Sequence, residues 1–331
     1  VALKKTSIMK YYTYVFLLFL FVSCSENDDN QINPEVADYL NEAVDIMEEY
    51  SINRSDIDWV DFRNQVLDEG ASAQTIEDVD SALLLALTLL NEEHSFIVRQ
   101  DDVLLTAAQT NCENTNLSGS STPDNINRFW FPPYDGASFS RGLNSRLAYA
   151  ETVQGEIQNR DNPNITGWII DLRNNNSTGG IYTLLTAIGP ILGEGTAGYY
   201  VYPEFGTEEW SYEDGEARSN QSRVVWVQEP YELINPNPKV AVLINQATSS
   251  TAESLAIAFK DRPNTVIIGS ESCEPTLHNL RFVLSDFSYL NLAVAYVADR
   301  NGNEYQNGLV PDIVTNDEPT AIQEAINFIN N

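Results

Sequence analysis

Positive charge is scarce in this chain. Against 48 aspartates and glutamates stand 18 lysines and arginines among 331 residues, a formal net charge of −30 at pH 7. So few cations have little capacity to neutralise a phosphate backbone, which argues against nucleic acid as a partner. The acidity promises solubility and repulsion from anionic surfaces. Histidine is scarcer still, with two in the whole sequence. There is no H-E-x-x-H run to set two imidazoles on one helix face, so zinc hydrolysis is disfavoured and no metal or other cofactor is expected. The G-x-S-x-G elbow of the α/β-hydrolase esterases is missing as well. No internal repeat is visible. What remains is length enough for one large domain, or for a main domain with a helical accessory part.

The N-terminal stretch reads as an export signal. Met9-Lys10 precedes an apolar run from Val15 to Val22 and then Ser23-Cys24, a charged start and an apolar core too short to span a bilayer permanently. Phe21-Val22-Ser23-Cys24 resembles a bacterial lipobox, which implies that residues 1–24 carry a lipoprotein signal and that Cys24 becomes the lipidated first residue of the mature protein, anchoring it to a membrane. An ordinary signal peptide is the alternative. Ser25-Glu-Asn-Asp-Asp-Asn30 is polar and acidic, as a tether over 25–33 should be. It resembles the export signal of surface lipoproteins in the Bacteroidetes, implying an extracytoplasmic place on the outer membrane or cell surface. In an oxidising compartment Cys112 and Cys273 are free to pair, provided their Cα atoms lie about 4.4–6.8 Å apart.

Residues 34–95 are expected to form an N-terminal helical subdomain. Asn33-Pro34 opens a helix with Val36, Leu40, Ala43, Val44 and Met47 on one face; Asp58 to Leu67 reads as a second. Thr75-Ile-Glu-Asp78 caps a third that runs to about Asn91. Over 96–331, strand-like and helical segments alternate as in an α/β sheet. Phe96 to Leu104, Phe129 to Phe131, Gly167 to Leu172, Ser222 to Gln228, Val266 to Gly269, Leu280 to Leu284 and Leu290 to Val297 have strand character. Leu143 to Ile157, Ile181 to Leu192 and Pro319 to Ile329 have helical character.

The chain is organised around Val240 to Lys260. A β-branched run, Val240 to Ile244, is followed by Ala247-Thr-Ser-Ser-Thr251 and then by Ala252, Leu255, Ala256 and Phe259 at helical spacing. A hydroxyl-rich turn therefore meets a helix N-terminus, where backbone N–H groups are unpaired and the dipole is positive. Ser250 there is suited to nucleophilic attack beside a place for an oxyanion. Ser250-Thr-Ala-Glu253 also matches a capping box, in which serine and glutamate satisfy each other's backbone donors.

Four blocks in order resemble the tail-specific (C-terminal processing) serine peptidases, the family that also takes in the tricorn core protease and the interphotoreceptor retinoid-binding modules. They are Asn91-Glu-Glu-His-Ser-Phe96, Gly167-Trp-Ile-Ile-Asp-Leu-Arg173 leading to Gly179-Gly180, the Ser250 turn, and Asp299-Arg-Asn-Gly302 through Gly308-Leu-Val-Pro-Asp312. The resemblance implies a ClpP/crotonase-like mixed sheet core flanked by helices, and hydrolysis of peptide or protein substrates through an acyl-enzyme. It implies Ser250 as nucleophile, His94 as general base, Glu253 as a residue fixing the turn, and Thr251 with Gly179 or Gly180 as backbone oxyanion donors. Glu304 is the first candidate to orient the base and Glu93 the second. The end of the third helix, just before His94, is expected to favour the protonated imidazole. His278 falls in the loop expected from Ser270 to Asn279, a loop without the lysine that some relatives use as base. With about thirty residues between Phe96 and Arg128, no PDZ domain can fit. Glu92 and Glu93 replace Asp and Gly, the Asp171–Gly180 turn is longer than usual, and Glu274 stands for a glycine. These departures sustain an alternative: a surface lipoprotein that keeps the fold as a peptide- or ligand-binding module with impaired catalysis.

Overall fold

The computed structural model describes residues 32–331, apart from 109–111, 113, 118–119, 135–141 and 274–275. The expected signal, Cys24 included, the tether up to residue 31, and Glu274 lie outside the described residues.

Three helices come first: α1 (Pro34–Tyr50), α2 (Trp59–Glu69) and α3 (Asp80–Leu89). Their starts follow the sequence. Asn33 accepts from the Glu35 amide ahead of Pro34, and Asp58 accepts from the Val60 and Asp61 amides, each satisfying donors the helix leaves open. The Thr75–Asp78 capping box forms as well, but on a short 3-10 turn that precedes α3. The core then contributes β1 (Phe96–Val98), β2 (Leu104–Thr106), β3 (Ile126–Trp130), α4 (Gly142–Arg160), β4 (Gly167–Asp171) and α5 (Ile181–Leu192). A meander follows, β5 (Gly195–Tyr202), β6 (Gly206–Glu213), β7 (Glu216–Ser219) and β8 (Ser222–Trp226). The chain continues through β9 (Lys239–Ile244), α6 (Thr251–Phe259), β10 (Thr265–Gly269), β11 (Leu277–Val283), β12 (Tyr289–Asp299), β13 (Ile313–Val314) and α7 (Glu318–Asn330).

The α/β class holds, with parallel and antiparallel strands sorted into two sheets. The parallel sheet runs β13-β10-β9-β4-β3, and the antiparallel one β2-β1-β12-β5-β6-β7-β8, with β11 also paired to β12. Strands β4 and β9 are buried along almost their whole length, as continuous apolar runs in a parallel sheet covered on both faces must be. One cover is α7, whose Ile322, Ala325 and Ile329 pack with Ile169, Ala241, Leu243 and Ile268. The other is the main core, in which Leu184, Ile188, Leu255 and Phe259 of α5 and α6 meet Val242, Ile244 and the antiparallel sheet.

Register then decides where chemistry can happen. Asp171 pairs with Leu243, and Ile244 with Gly269, so β4, β9 and β10 end side by side. The connections leaving those ends, 172–180, 245–250 and the one that begins at Ser270, emerge together at the carboxyl edge of the sheet, the usual place for a site in an open α/β fold. Gly269 is required there: its φ is +140°, and an added Cβ would lie 1.9 Å from the Ile244 carbonyl oxygen.

Candidate active site

The Ser250 turn is held from beneath by one amide side chain. Asn245, 6% exposed, follows β9, and its Oδ1 accepts from the Asn174 amide at 2.9 Å and the Ala247 amide at 3.1 Å. Its Nδ2 donates to Asn174 Oδ1 and to Thr115 Oγ1, both at 2.8 Å. All the hydrogen-bonding capacity of the side chain is used, tying the turn before Ser250 to the turn after β4. Thr248 adds a second tie, donating from Oγ1 to the Leu172 carbonyl at 2.8 Å.

Ser250 has φ +54° and ψ −135°, and its side chain makes no cap hydrogen bond to α6. The capping-box alternative therefore fails: the backbone carbonyl of Ser250, not its hydroxyl, accepts from the Glu253 and Ser254 amides. A non-glycine residue with positive φ is uncommon and is retained where the surroundings over-determine it. Glu253 is fully buried. Instead of reaching back to the Ser250 amide, its carboxylate accepts from Thr276 Oγ1 at 2.7 Å, and the same Thr276 oxygen lies 3.1 Å from the Ser250 carbonyl oxygen. Glu253 thus fixes the turn to the segment entering β11, and Thr276 is a partner the motif reading missed.

His94 arrives from the other side. Glu92 Oε2 accepts from the His94 amide at 2.6 Å and the Ser95 amide at 3.1 Å, so the glutamate in the place of the usual Asp anchors the loop backbone. Asn279 Nδ2 donates to the His94 carbonyl at 2.7 Å, and Asn53, between α1 and α2, donates to the Leu90 and Asn91 carbonyls. Helix α3 ends at Leu89, too early for its dipole to act at residue 94. The expected preference for imidazolium is reversed: burial pushes His94 down to about 4, opposed by the charge of Glu93. Glu93 is therefore the carboxylate felt at the ring. Glu304, the first sequence candidate for that role, is exposed, forms a β-bridge with Ala298 and accepts from Gln306 Nε2 at 2.6 Å.

These two loops converge on one short stretch of chain. Thr276 touches the Ser250 turn and Asn279 touches the His94 loop. Three residues of extended chain separate them, about 10 Å. His278, between the two contacts, lies in β11 and not in a loop; its ring stacks on Tyr200 with centroids 3.8 Å apart and meets Tyr202 edge-on. Burial pushes His278 down to about 4, opposed by Glu208.

The turn that carries Gly179 and Gly180 docks against the nucleophile turn. The Ser249 amide donates to the Asn175 carbonyl at 3.1 Å, and the Thr251 amide to the Ser177 carbonyl at 2.9 Å. One of the two expected oxyanion donors, Thr251, is thus engaged by protein. Gly179 and Gly180 have φ of +93° and +94°, conformations open to glycine alone without strain. Ser177 is itself locked, its Oγ accepting from the Tyr134 amide and donating to Asn175 Oδ1. At the start of the turn Asp171 accepts from Arg173 and from Arg128 at 2.7–3.0 Å, with Glu318 joining Arg128 at 3.2 Å. Burial alone would raise the Asp171 pKa, but Arg173 and Arg128 together hold it below the ordinary carboxylate value.

Cys112 and Cys273 form a disulfide, their Cα atoms 5.6 Å apart. Among the described residues no group of three or more His, Cys, Asp or Glu is placed to hold a metal ion.

Residues 137–315, just over half of the chain, match the profile of Peptidase family S41. The chain belongs to that family. A nisin-resistance protein of Lactococcus lactis subsp. lactis is 26% identical over 303 residues, 89% of this chain and 88% of that protein. A carboxyl-terminal-processing protease of Synechocystis is 29% identical over 172 residues, 51% of this chain and 35% of that protease. The solved structure of a lipoprotein from Streptococcus agalactiae superimposes with a TM-score of 0.70 at 19% identity, covering 90% of this chain and 97% of that one. It shares the fold seen here. Family membership supports serine-peptidase chemistry, in accord with the four sequence blocks.

Proposed function

We propose that this chain is a serine endopeptidase of the tail-specific kind, acting on peptides or proteins outside the cytoplasm from a lipid anchor at Cys24. The observation that supports it best is the convergence of the Ser250 turn and the His94 loop on Thr276 and Asn279. In the reaction Ser250 Oγ attacks the scissile carbonyl while the neutral His94 ring takes its proton and returns it to the leaving amine. The Thr251 amide, exchanging the Ser177 carbonyl for the oxyanion, and Gly179 or Gly180 hold the negative charge. Water then attacks the acyl-enzyme with His94 again as base.

A fluorophosphonate probe tests the reading. Labelling of the wild type, with none of Ser250→Ala and strong loss in His94→Ala, is the expected result; a folded wild type that resists the probe would sink it. Substrate is sought by mass spectrometry of peptides incubated with the protein, beginning with nisin, for which one relative is named. The anchor is tested separately: Cys24→Ala is expected to move the protein from the membrane to the soluble fraction of the producing cell.

A further inference from the structure

We propose that the stretch carrying Cys112 and Thr115 is a brace that positions the two catalytic turns against each other, with the Cys112–Cys273 disulfide as its fastening. The inference rests on the peptidase reading. Thr115 closes a small network on the far side of Asn245. Its amide donates to Asn174 Oδ1 at 3.0 Å, its carbonyl accepts from Asn174 Nδ2 at 2.7 Å, and its Oγ1 accepts from Asn245 Nδ2 at 2.8 Å. Asn174 begins the turn that leads to Gly179 and Gly180, while Asn245 begins the turn that ends in Ser250. Thr115 therefore bonds to both turns at once.

Three residues earlier, Cys112 is bonded covalently to Cys273. Cys273 lies three residues before Thr276, whose hydroxyl binds Glu253 and the Ser250 carbonyl. Three residues span at most about 10 Å, so the brace is short and passes little slack between its two attachments. One end sets the turn bearing the glycine donors; the other sets the segment against which the nucleophile helix is fixed. Neither Cys112 nor Thr115 reaches the reacting atoms. Both act by position, where a displacement of about 1 Å can cost a hundredfold in rate.

The expected signature is a slower chemical step with unchanged binding. Using the full chain, the fluorophosphonate reaction, in which Ser250 Oγ displaces fluoride from phosphorus, is resolved into a maximal rate and a half-saturating concentration. Thr115→Val is expected to lower the maximal rate ten- to a hundredfold with the half-saturating concentration unchanged, and Thr115→Ser, which keeps the hydroxyl, to restore it. The double variant Cys112→Ser/Cys273→Ser, measured well below its melting temperature, is expected to do the same. Thr115→Val keeps the disulfide, so its result does not depend on whether the double variant folds. Maximal rates within twofold of wild type in Thr115→Val overturn the brace while leaving the peptidase reading intact. A wild type that the probe never labels overturns both.

Discussion

At pH 5.5 an imidazole with the ordinary pKa of 6.5 is about 9% neutral, whereas one held at about 4, as burial holds His94, is about 97% neutral. In the proposed reaction only the neutral ring can accept the Ser250 proton, so the acid limb of the pH–rate profile reports which value applies. For this site the limb is expected near pH 4, with a plateau already reached at pH 5.5 and about tenfold more activity there than an unperturbed histidine would allow. The charge of Glu93 opposes the shift. Glu93→Gln is expected to move the limb further down and to lower kcat, because the imidazolium formed during attack loses its nearby anion. The assay is initial-rate labelling by a fluorophosphonate from pH 3.5 to 8, with the fold followed by circular dichroism in the same buffers.

Stability must be separated from chemistry in that range. Both His94 and His278 are held at about 4 by burial. Their folded values lie below the unfolded one, so the unfolded chain binds more protons between the two. Their contribution is fully present above pH 6.5 and is lost as pH falls toward 4, by about 3 kcal/mol for each histidine. His278→Phe keeps a ring on Tyr200 and removes one of the two titrations, so it is expected to flatten the acid loss of melting temperature while leaving the activity limb in place. A limb near pH 6.5 in a protein that is still folded would refute the argument, since it would mean that the base is solvated.

Asp171→Ala leaves Arg173 and Arg128 buried without their shared carboxylate and is expected to cost about 3–5 kcal/mol, read by urea denaturation. Because the Asp171 pKa is lowered on folding, its contribution in the wild type is present above about pH 4 and disappears as pH falls through the depressed value. Thr276→Val removes the hydroxyl that donates to the buried Glu253; a loss of about 1–3 kcal/mol in melting experiments is expected, with slower labelling of Ser250, while Thr276→Ser stays near wild type. Gly269→Ala would set a methyl 1.9 Å from the Ile244 carbonyl oxygen at a φ of +140°. It is expected to cost at least about 3 kcal/mol, and soluble protein with an unchanged melting temperature would contradict the close approach of β9 and β10.

Much of the site was legible because its parts carry local signals. The apolar run of β9, the hydroxyls at the start of α6 and the paired glycines before α5 each stand next to an element whose period is plain in the sequence. The first helices were legible for the same reason, their caps at Asn33 and Asp58 being ordinary ones. The misses are contacts between distant segments. Nothing near Ser250 in the chain announces Thr276, and nothing near Asp171 announces Arg128 or Glu318. The strands from Gly195 to Ser219 escape a hydrophobic pattern because theirs is aromatic and polar: Tyr202 and Ser219, joined by Tyr182 of α5, all donate to Glu208, while the Tyr200 ring stacks on His278. His94 was read with the wrong sign because the chain suggested a helix reaching Asn91. The helix stops at Leu89, and burial, which no local pattern reports, decides the charge.

The Asp171–Gly180 turn bears directly on the proposed oxyanion site. Its carbonyls at Asn175 and Ser177 are the acceptors for the Ser249 and Thr251 amides. A substrate carbonyl approaching Ser250 must therefore compete for Thr251 with a partner already at 2.9 Å. One neutral hydrogen bond exchanged for another gains almost nothing, since each contributes about 1 kcal/mol net. An oxyanion is a different competitor, because a hydrogen bond to a charged acceptor is roughly twice as strong. In the proposed reaction the exchange is then favourable only as negative charge develops. On that proposal the Thr251 donor would be withheld from the bound substrate and released to the transition state, and an interaction realised only there raises kcat without tightening ground-state binding.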